Sequence, residues 1–421
     1  MTTNDKFERQ LAGWLIEDST HRVPDHLNEV LLRTVATRQR PWWSSLRRWL
    51  PVEFSAPPAP LIRSGSWRPI LVVAAAALLI AVLVVLAVGS RRQLPPPFGP
   101  ARNGLVVAGA DGDLFSVDPR TGATAPLITD PAFDFGPTFS RDGTKLLFLR
   151  SAGTGLQLVV VDPDGGHLLP ITPPEDGLDW LDWSPDSSRI AFLSRDLGRG
   201  RINIVNADGS GLTTLVVDRS AHQLSWVPPN GTEILFRGEH LDASDPAPGI
   251  FAIRPDGSGL RPISTRPAIS DNDYQDVAVS PDGRFVAYRE AGQRFWVRVL
   301  DLLTGEDRVL PEAPGSTGEG GPLFSPDGRS IVYLRWAADS STQLVVVPAD
   351  GSGLGVAIGP KGPLGPDGPT INNYVFTPEG TAVIANYDAE KVDRLLPLDG
   401  SPPTILARGE VAFATIQRLA P

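Results

Sequence analysis

A chain of 421 residues that is 41% hydrophobic and 20% charged is long enough for one large or two ordinary domains with real cores, and too apolar to be disordered. Its net charge of −10 is unevenly placed: residues 1–100 hold 12 Lys/Arg against 7 Asp/Glu, whereas residues 101–421 hold 26 against 41, which makes the second part a poor partner for nucleic acid phosphates. The absence of cysteine excludes disulfides and thiolate metal sites, and 42 glycines with 42 prolines favour many tight turns over long helices.

Two amphipathic helices are predicted first. Phe7, Leu11, Trp14 and Leu15 share one helical face, and Leu27, Val30, Leu31 and Val35 repeat the pattern after Pro24-Asp25, a suitable helix start. Helices of this size bury too little to stand alone, so they need each other, a membrane surface or a partner. PWWSSLRRWLP follows at 41–51. Trp42, Trp43 and Trp49 suit the headgroup level and Arg47 and Arg48 suit anionic lipid, as an interfacial helix requires; packing onto a small cytosolic helix pair is the other reading. Residues 1–50 are thus expected to be a cytosolic helical and interfacial segment, with 51–68 a linker.

From Ile70 to Val88 the sequence runs 19 residues without a polar side chain. At about 1.5 Å per residue this nearly matches a hydrocarbon core of about 30 Å, so 69–90 is expected to be a single transmembrane helix. A buried core helix would keep a polar stripe, and a signal peptide's apolar region is shorter and nearer the N-terminus. Arginines flank the span almost equally, but the 68 residues before the predicted helix carry 10 Lys/Arg and the long acidic part would translocate readily. The expected placement is in the cell membrane, N-terminus cytoplasmic, with 91–102 a linker and 103–421 outside.

Residues 101–421 are built from one recurring hairpin. FSRDGTKLLFLR begins at Phe139, WSPDSSRIAFLSR at Trp183, WVPPNGTEILFRG at Trp226, VSPDGRFVAYRE at Val279, FSPDGRSIVYLR at Phe324 and FTPEGTAVIANY at Phe376, spaced by 44, 43, 53, 45 and 52 residues. Strands and turns at this period predict a β-propeller with one four-stranded blade per repeat. A second turn interleaves seven times, as VDPRTG, VDPDGG, VNADGSG, IRPDGSG, LDLLTG, VPADGSG and PLDGS, where the third strand meets the fourth. The mismatch of six against seven has an explanation. Residues 105–129 supply three strands without a leading one and residues 411–417 supply one strand alone, so pairing the two ends makes a seventh blade and leaves no sheet edge exposed. The fold class is all-β, a seven-bladed propeller after a single span and a short helical segment; six blades result if the ends pack otherwise.

These turns resemble the TolB-like or WD40-like (PD40) repeat family, which pairs a W/F-S-P-D-G turn with a later D-G-S-G turn. Phe324–Gly328, Val279–Gly283, Asp256–Gly259 and Asp350–Gly353 carry the match, while Trp226–Gly231 lacks the Ser and Asp. The resemblance implies interaction platforms, periplasmic scaffold parts or regulatory domains of peptidases. Such peptidases follow the propeller with a hydrolase domain and a G-x-S-x-G elbow; this chain has no such elbow and ends after the closing strand, so no enzyme is expected.

No cofactor is expected either. The carboxylates of SDNDYQD (Asp271, Asp273, Asp276) complete no calcium-loop signature, and the five histidines form no zinc pair. Residues just ahead of the first turn of each blade should border the central channel: Asp134, Asp179, His222, Asp276, Glu319 and Asn373. A mostly acidic ring there could hold a cation or a basic peptide segment, or simply hydrogen-bond to neighbouring blades. Trp180, beside the core aromatic Trp183, is a further candidate contact. The functional expectation is a membrane-anchored propeller binding a protein or peptide ligand without catalysis. The alternative is a transmembrane signalling regulator in which residues 1–50 bind a cytosolic regulator and the propeller senses; this layout resembles membrane-anchored anti-sigma regulators, without their zinc-binding His-Cys-Cys pattern.

Overall fold

The computed structural model describes residues 98–420 except positions 120, 122, 154, 197–198, 216–217, 241–248, 265–276, 291–294, 313–314, 366–367, 370 and 409–413. The predicted N-terminal helices, interface stretch and span lie outside the described residues, among which no helix is long and apolar enough to cross a membrane.

The recurring hairpin is held by its own side chains. In Ser325-Pro326-Asp327-Gly328, the Gly328 N–H donates to the Ser325 carbonyl at 2.8 Å, and Gly328 takes φ +71°, where a side chain would be strained. The Ser325 hydroxyl donates to Asp327 at 2.6 Å and accepts the Ser330 N–H at 2.9 Å, which ties the turn to the start of the next strand. Ser140, Ser184 and Ser280 repeat this arrangement in their own blades. At Trp226–Gly231 the departure seen in the sequence is a wider turn, in which the Gly231 N–H reaches the Val227 carbonyl. Ser325→Ala removes the acceptor of the partly buried Ser330 amide and is expected to cost about 1 kcal/mol, read from the denaturant midpoint.

Seven antiparallel sheets follow, six of them beginning with the strand ahead of such a turn and the seventh with the last strand of the chain. These first strands are Asp134–Phe139, Leu178–Trp183, Arg219–Trp226, Val277–Val279, Ser316–Phe324, Ile371–Phe376 and Ala414–Leu419, numbered here as blades 1 to 7. The seventh sheet is closed by both ends of the domain: Ala414–Leu419 pairs with Arg102–Ala110, with Val106 opposite Ile416 and Ala108 opposite Ala414. The predicted closure is therefore present, and the seven third-to-fourth-strand turns lie where the interleaved motif put them. Blade 5 adds an unpredicted short fifth strand, Gly368–Pro369.

Alternation along each strand sends side chains to two neighbours, and this builds the ring. In blade 4, Val286 and Tyr288 pack toward Leu235 and Ile250 of blade 3, while Ala287 packs toward Ile331 and Tyr333 of blade 5. The buried apolar residues form seven clusters, each shared by adjacent blades, and one of them joins blade 7 to blade 1 through Val107, Leu114 and Phe148. Seven seams with no break fit a closed seven-bladed ring and no six-bladed one. Each fully buried Val, Leu, Ile or Phe contributes about 1.5–3 kcal/mol. Exposed ion pairs such as Lys361–Asp339 contribute at most about 1, so blade-to-blade packing carries the fold.

Candidate functional site

The first strands of the blades converge on one cavity of about 580 Å³, a size typical of small-ligand sites. All seven contribute to its wall, with Thr138, Trp180, Ser225, Val277, Leu323, Asn373 and Thr415 from blades 1 to 7 in turn. They are thus the innermost strands around a central channel.

A shared irregularity shapes that wall. Between Phe135 and Thr138, Asp179 and Asp182, Gly320 and Leu323, and Ile371 and Tyr374, the inner strand inserts one residue relative to its partner. Such bulges re-aim side chains. Gly136 and Gly321 occupy the left-handed region there, at φ +64° and +67°. In blade 2 the equivalent residue is Trp180, at φ +44°. A bulky residue in this region costs on the order of 1–3 kcal/mol, and here it places an indole on the cavity wall, partly packed on the core shared by blades 2 and 3.

Three charged side chains line the cavity among the described residues: Arg141, Asp182 and Arg418. Arg141 stands in the first-turn position that proline fills in the five other copies. It donates to Asp182 at 2.5 Å, and its guanidinium lies 5.3 Å from the centre of the Phe98 ring. The second Asp182 oxygen accepts the Trp226 N–H at 2.8 Å and the Ser225 hydroxyl at 3.1 Å, so one carboxylate joins blades 1, 2 and 3. Arg418, on the closing strand, donates to the Gly99 carbonyl at 2.6 Å. Burial, reinforced by the Arg141 charge, pushes the Arg418 guanidinium down to about 10.

Of the residues expected from sequence, Trp180 and Asn373 come together on this wall. The others take different places. Asp134 is buried and receives two hydrogen bonds from Arg150, at 2.8 and 2.7 Å. Asp179 pairs with Arg195 at 2.9 Å. Glu319 is fully buried, 3.5 Å from the Tyr333 hydroxyl. His222 lies 3.5 Å from Glu239, and burial together with the Arg237 charge lowers its basicity. None of these four belongs to the cavity wall. Asp271, Asp273 and Asp276 lie outside the described residues. Sequence reading missed Arg141 and Arg418; the signal for the first was an arginine in place of the turn proline, and for the second there was none.

Fold and cavity together define a closed seven-bladed propeller with a ligand-sized central chamber. Residues 182–357 match the model of the TolB beta propeller domain (PD40). Among curated proteins, dipeptidyl-peptidase 5 of Porphyromonas endodontalis is 22% identical over 244 residues, covering 54% of this chain and 33% of its own length. An uncharacterized protein of Agrobacterium fabrum is 22% identical over 218 residues, covering 52% of this chain and 60% of its own length. The chain thus spans about a third of the peptidase it matches. Among solved structures, the periplasmic gluconolactonase of Pseudomonas aeruginosa superposes with a TM-score of 0.53 at 16% identity, covering 76% of this chain and all of that one, which supports the fold.

One expectation is corrected by these matches. A non-enzyme was expected because no serine elbow is present, yet the relatives that align over half of this chain include proteins named as peptidases. The reasoning failed because the elbow tests for a single kind of chemistry, whereas a propeller can carry unrelated sites on the same scaffold.

Proposed function

We propose that the chain presents its propeller outside the cytoplasm on a single membrane span, and that the central cavity binds a peptide segment of a protein ligand. The membrane placement rests on the apolar run Ile70–Val88. The observation that carries the binding reading is Trp180, an aromatic held at φ +44° on the wall of a chamber of about 580 Å³. Strain kept at a cavity wall is characteristic of binding sites, and rigid aromatics dominate contact energies. A peptide ligand also agrees with the name of the dipeptidyl-peptidase relatives.

The test is selection of random displayed peptides on the full-length chain. Peptides that bind the native chain and lose at least tenfold affinity on Trp180→Ala support the reading; failure to enrich any peptide, or indifference to that substitution, removes it. Stability separates strain from packing. Both Trp180→Ala and Trp180→Gly lose the indole contacts, but the glycine variant is expected to be more stable than the alanine variant by about 1 kcal/mol, because only alanine keeps a strained Cβ.

A second reading is favoured by one observation: Phe98 and Gly99, the first residues of the predicted linker that the structure describes, line the same cavity. An occupant would touch the chain that leads toward the span, as a transmembrane regulator with a cytosolic partner at residues 1–50 requires. Slower proteolysis at residues 91–102 upon peptide binding would support it, and unchanged cleavage would count against it.

A further inference from the structure

We infer that an open groove between blades 2 and 3 is a binding site for a phosphate group, held between Arg189 and Arg254. The groove shares no lining residue with the central cavity, so this site is additional to the one that takes a peptide.

The groove has a volume of about 460 Å³ and is lined by Arg189, Thr232, Arg254, Pro255 and Asp256. Both arginines stand where the repeat breaks its own pattern of charge. In blade 1, Lys145 at the start of the second strand pairs with Asp162, which opens the third-to-fourth-strand turn, at 2.6 Å. Blade 4 closes the same way, Arg284 on Asp301 at 2.6 Å. In blade 2 the residue opposite Arg189 is Asn206, which carries no charge. In blade 3 that turn opens with Arg254 itself, and the neighbouring acid, Glu233, is taken by two bonds from Arg261 at 3.3 and 2.8 Å.

Among the described residues, neither Arg189 nor Arg254 forms an ion pair. Arg189 is held by other means: its guanidinium lies over the Trp226 ring, 4.9 Å from the centre, a contact that consumes no N–H donor. The Arg254 guanidinium makes one hydrogen bond, to the Ser258 hydroxyl at 3.3 Å, and Pro255 fixes the backbone beside it. The carboxylates that feel these two charges, Asp186 and Asp256, are turned to serines of their own turns. Asp186 accepts the hydroxyls of Ser184 and Ser188 at 2.6 and 2.7 Å, and Asp256 accepts the Ser258 N–H at 2.9 Å. Two forks of N–H donors therefore converge on one groove from two blades.

That arrangement selects the shape of the anion. One guanidinium fork satisfies both oxygens of a carboxylate, whereas a phosphate has oxygens enough to meet two forks at once, with the Thr232 hydroxyl on the same wall for another. Residues 101–421 hold 26 Lys/Arg and 41 Asp/Glu, so the surface at large does not collect anions and any phosphate retained belongs to a built site.

A phosphate reaches such a groove either on a soluble ester or on a lipid headgroup. We would titrate the full-length chain in detergent micelles, at fixed ionic strength, with inorganic phosphate, phenyl phosphate and acetate, and read binding by calorimetry. Both phosphates are expected to bind at least tenfold tighter than acetate. Doping the micelles with phosphatidic acid separates the sources: displacement of phenyl phosphate assigns the groove to headgroups as well, and undisturbed binding assigns it to soluble esters.

Asn206→Asp rebuilds the pair of blade 1, and is expected to weaken phosphate binding at least tenfold without removing an arginine and without lowering the unfolding midpoint. Arg254→Gln should weaken it as much from the exposed side of the groove. Failure of both phosphates to bind the native chain overturns the inference, as does equal affinity for acetate. Binding that survives both substitutions overturns it also. Peptide selection on the cavity is run without phosphate, so each proposal stands or falls by its own result.

Discussion

Replacing Asp393 by asparagine is expected to raise the stability of the propeller at pH 7 by about 3 kcal/mol, and to do nothing at pH 4. Asp393 lies on the third strand of blade 6, Val392–Pro397, and is 0% exposed. One carboxyl oxygen accepts from the Asn386 amide at 2.8 Å, and the other has no hydrogen-bond partner among the described residues. Burial pushes this carboxyl up to about 6 from an ordinary 3.8. A folded-state value above the unfolded one means that the native state binds the proton more tightly. The native chain is therefore favoured below about pH 4, loses that advantage between about 4 and 6, and stays at the lower level above. An upward shift of about two units corresponds to about 3 kcal/mol. Asparagine keeps the shape and the bond from Asn386 without a charge to desolvate. Guanidinium unfolding at pH 4, 5, 6 and 7 checks this: the gap between variant and native chain should open across that window. A gap independent of pH, or a less stable variant at pH 7, would refute the assignment.

Blade count was legible because each turn is determined locally. Ser325, Asp327 and Gly328 satisfy one another and the next amide within six residues, so the same letters yield the same turn wherever they recur. Closure of the seventh blade was legible for another reason. Three strands at one end and one at the other leave an unpaired edge that only mutual pairing removes, and Ala414–Leu419 on Arg102–Ala110 does so.

The cavity was legible only in part. Position just ahead of the turn picked Asp134, Asp179 and Glu319, but a one-residue bulge beyond each of them changes which face the earlier residues present. Nothing in the local letters marks that insertion in advance, except the glycines at 136 and 321. Trp180 was found because a second aromatic three residues before Trp183 has no place in the repeat. Arg418 was beyond reach, since its contact with Gly99 joins residues 319 apart in sequence.

Gly143→Ala is expected to cost about 3–5 kcal/mol, as the sum of left-handed strain and a clash that cannot relax. Gly143 ends the first turn of blade 1 at φ +68°, and a Cβ there would sit 2.1 Å from the Arg418 carbonyl oxygen. That oxygen belongs to the closing strand, whose Gln417 amide in turn donates to the Gly143 carbonyl at 2.7 Å. Backbone faces backbone, so no side chain can swing aside. Gly305→Ala is the matched control. Its φ is +75° but a Cβ there meets nothing within 4 Å, so strain alone applies and the cost should be about 1–2 kcal/mol. The difference between the two variants in guanidinium midpoint thus measures how rigidly blade 7 holds blade 1. Equal losses would mean that the closing strand yields at this seam. A much larger loss at 143 would mean that the closing strand is held rigidly against the first turn of blade 1.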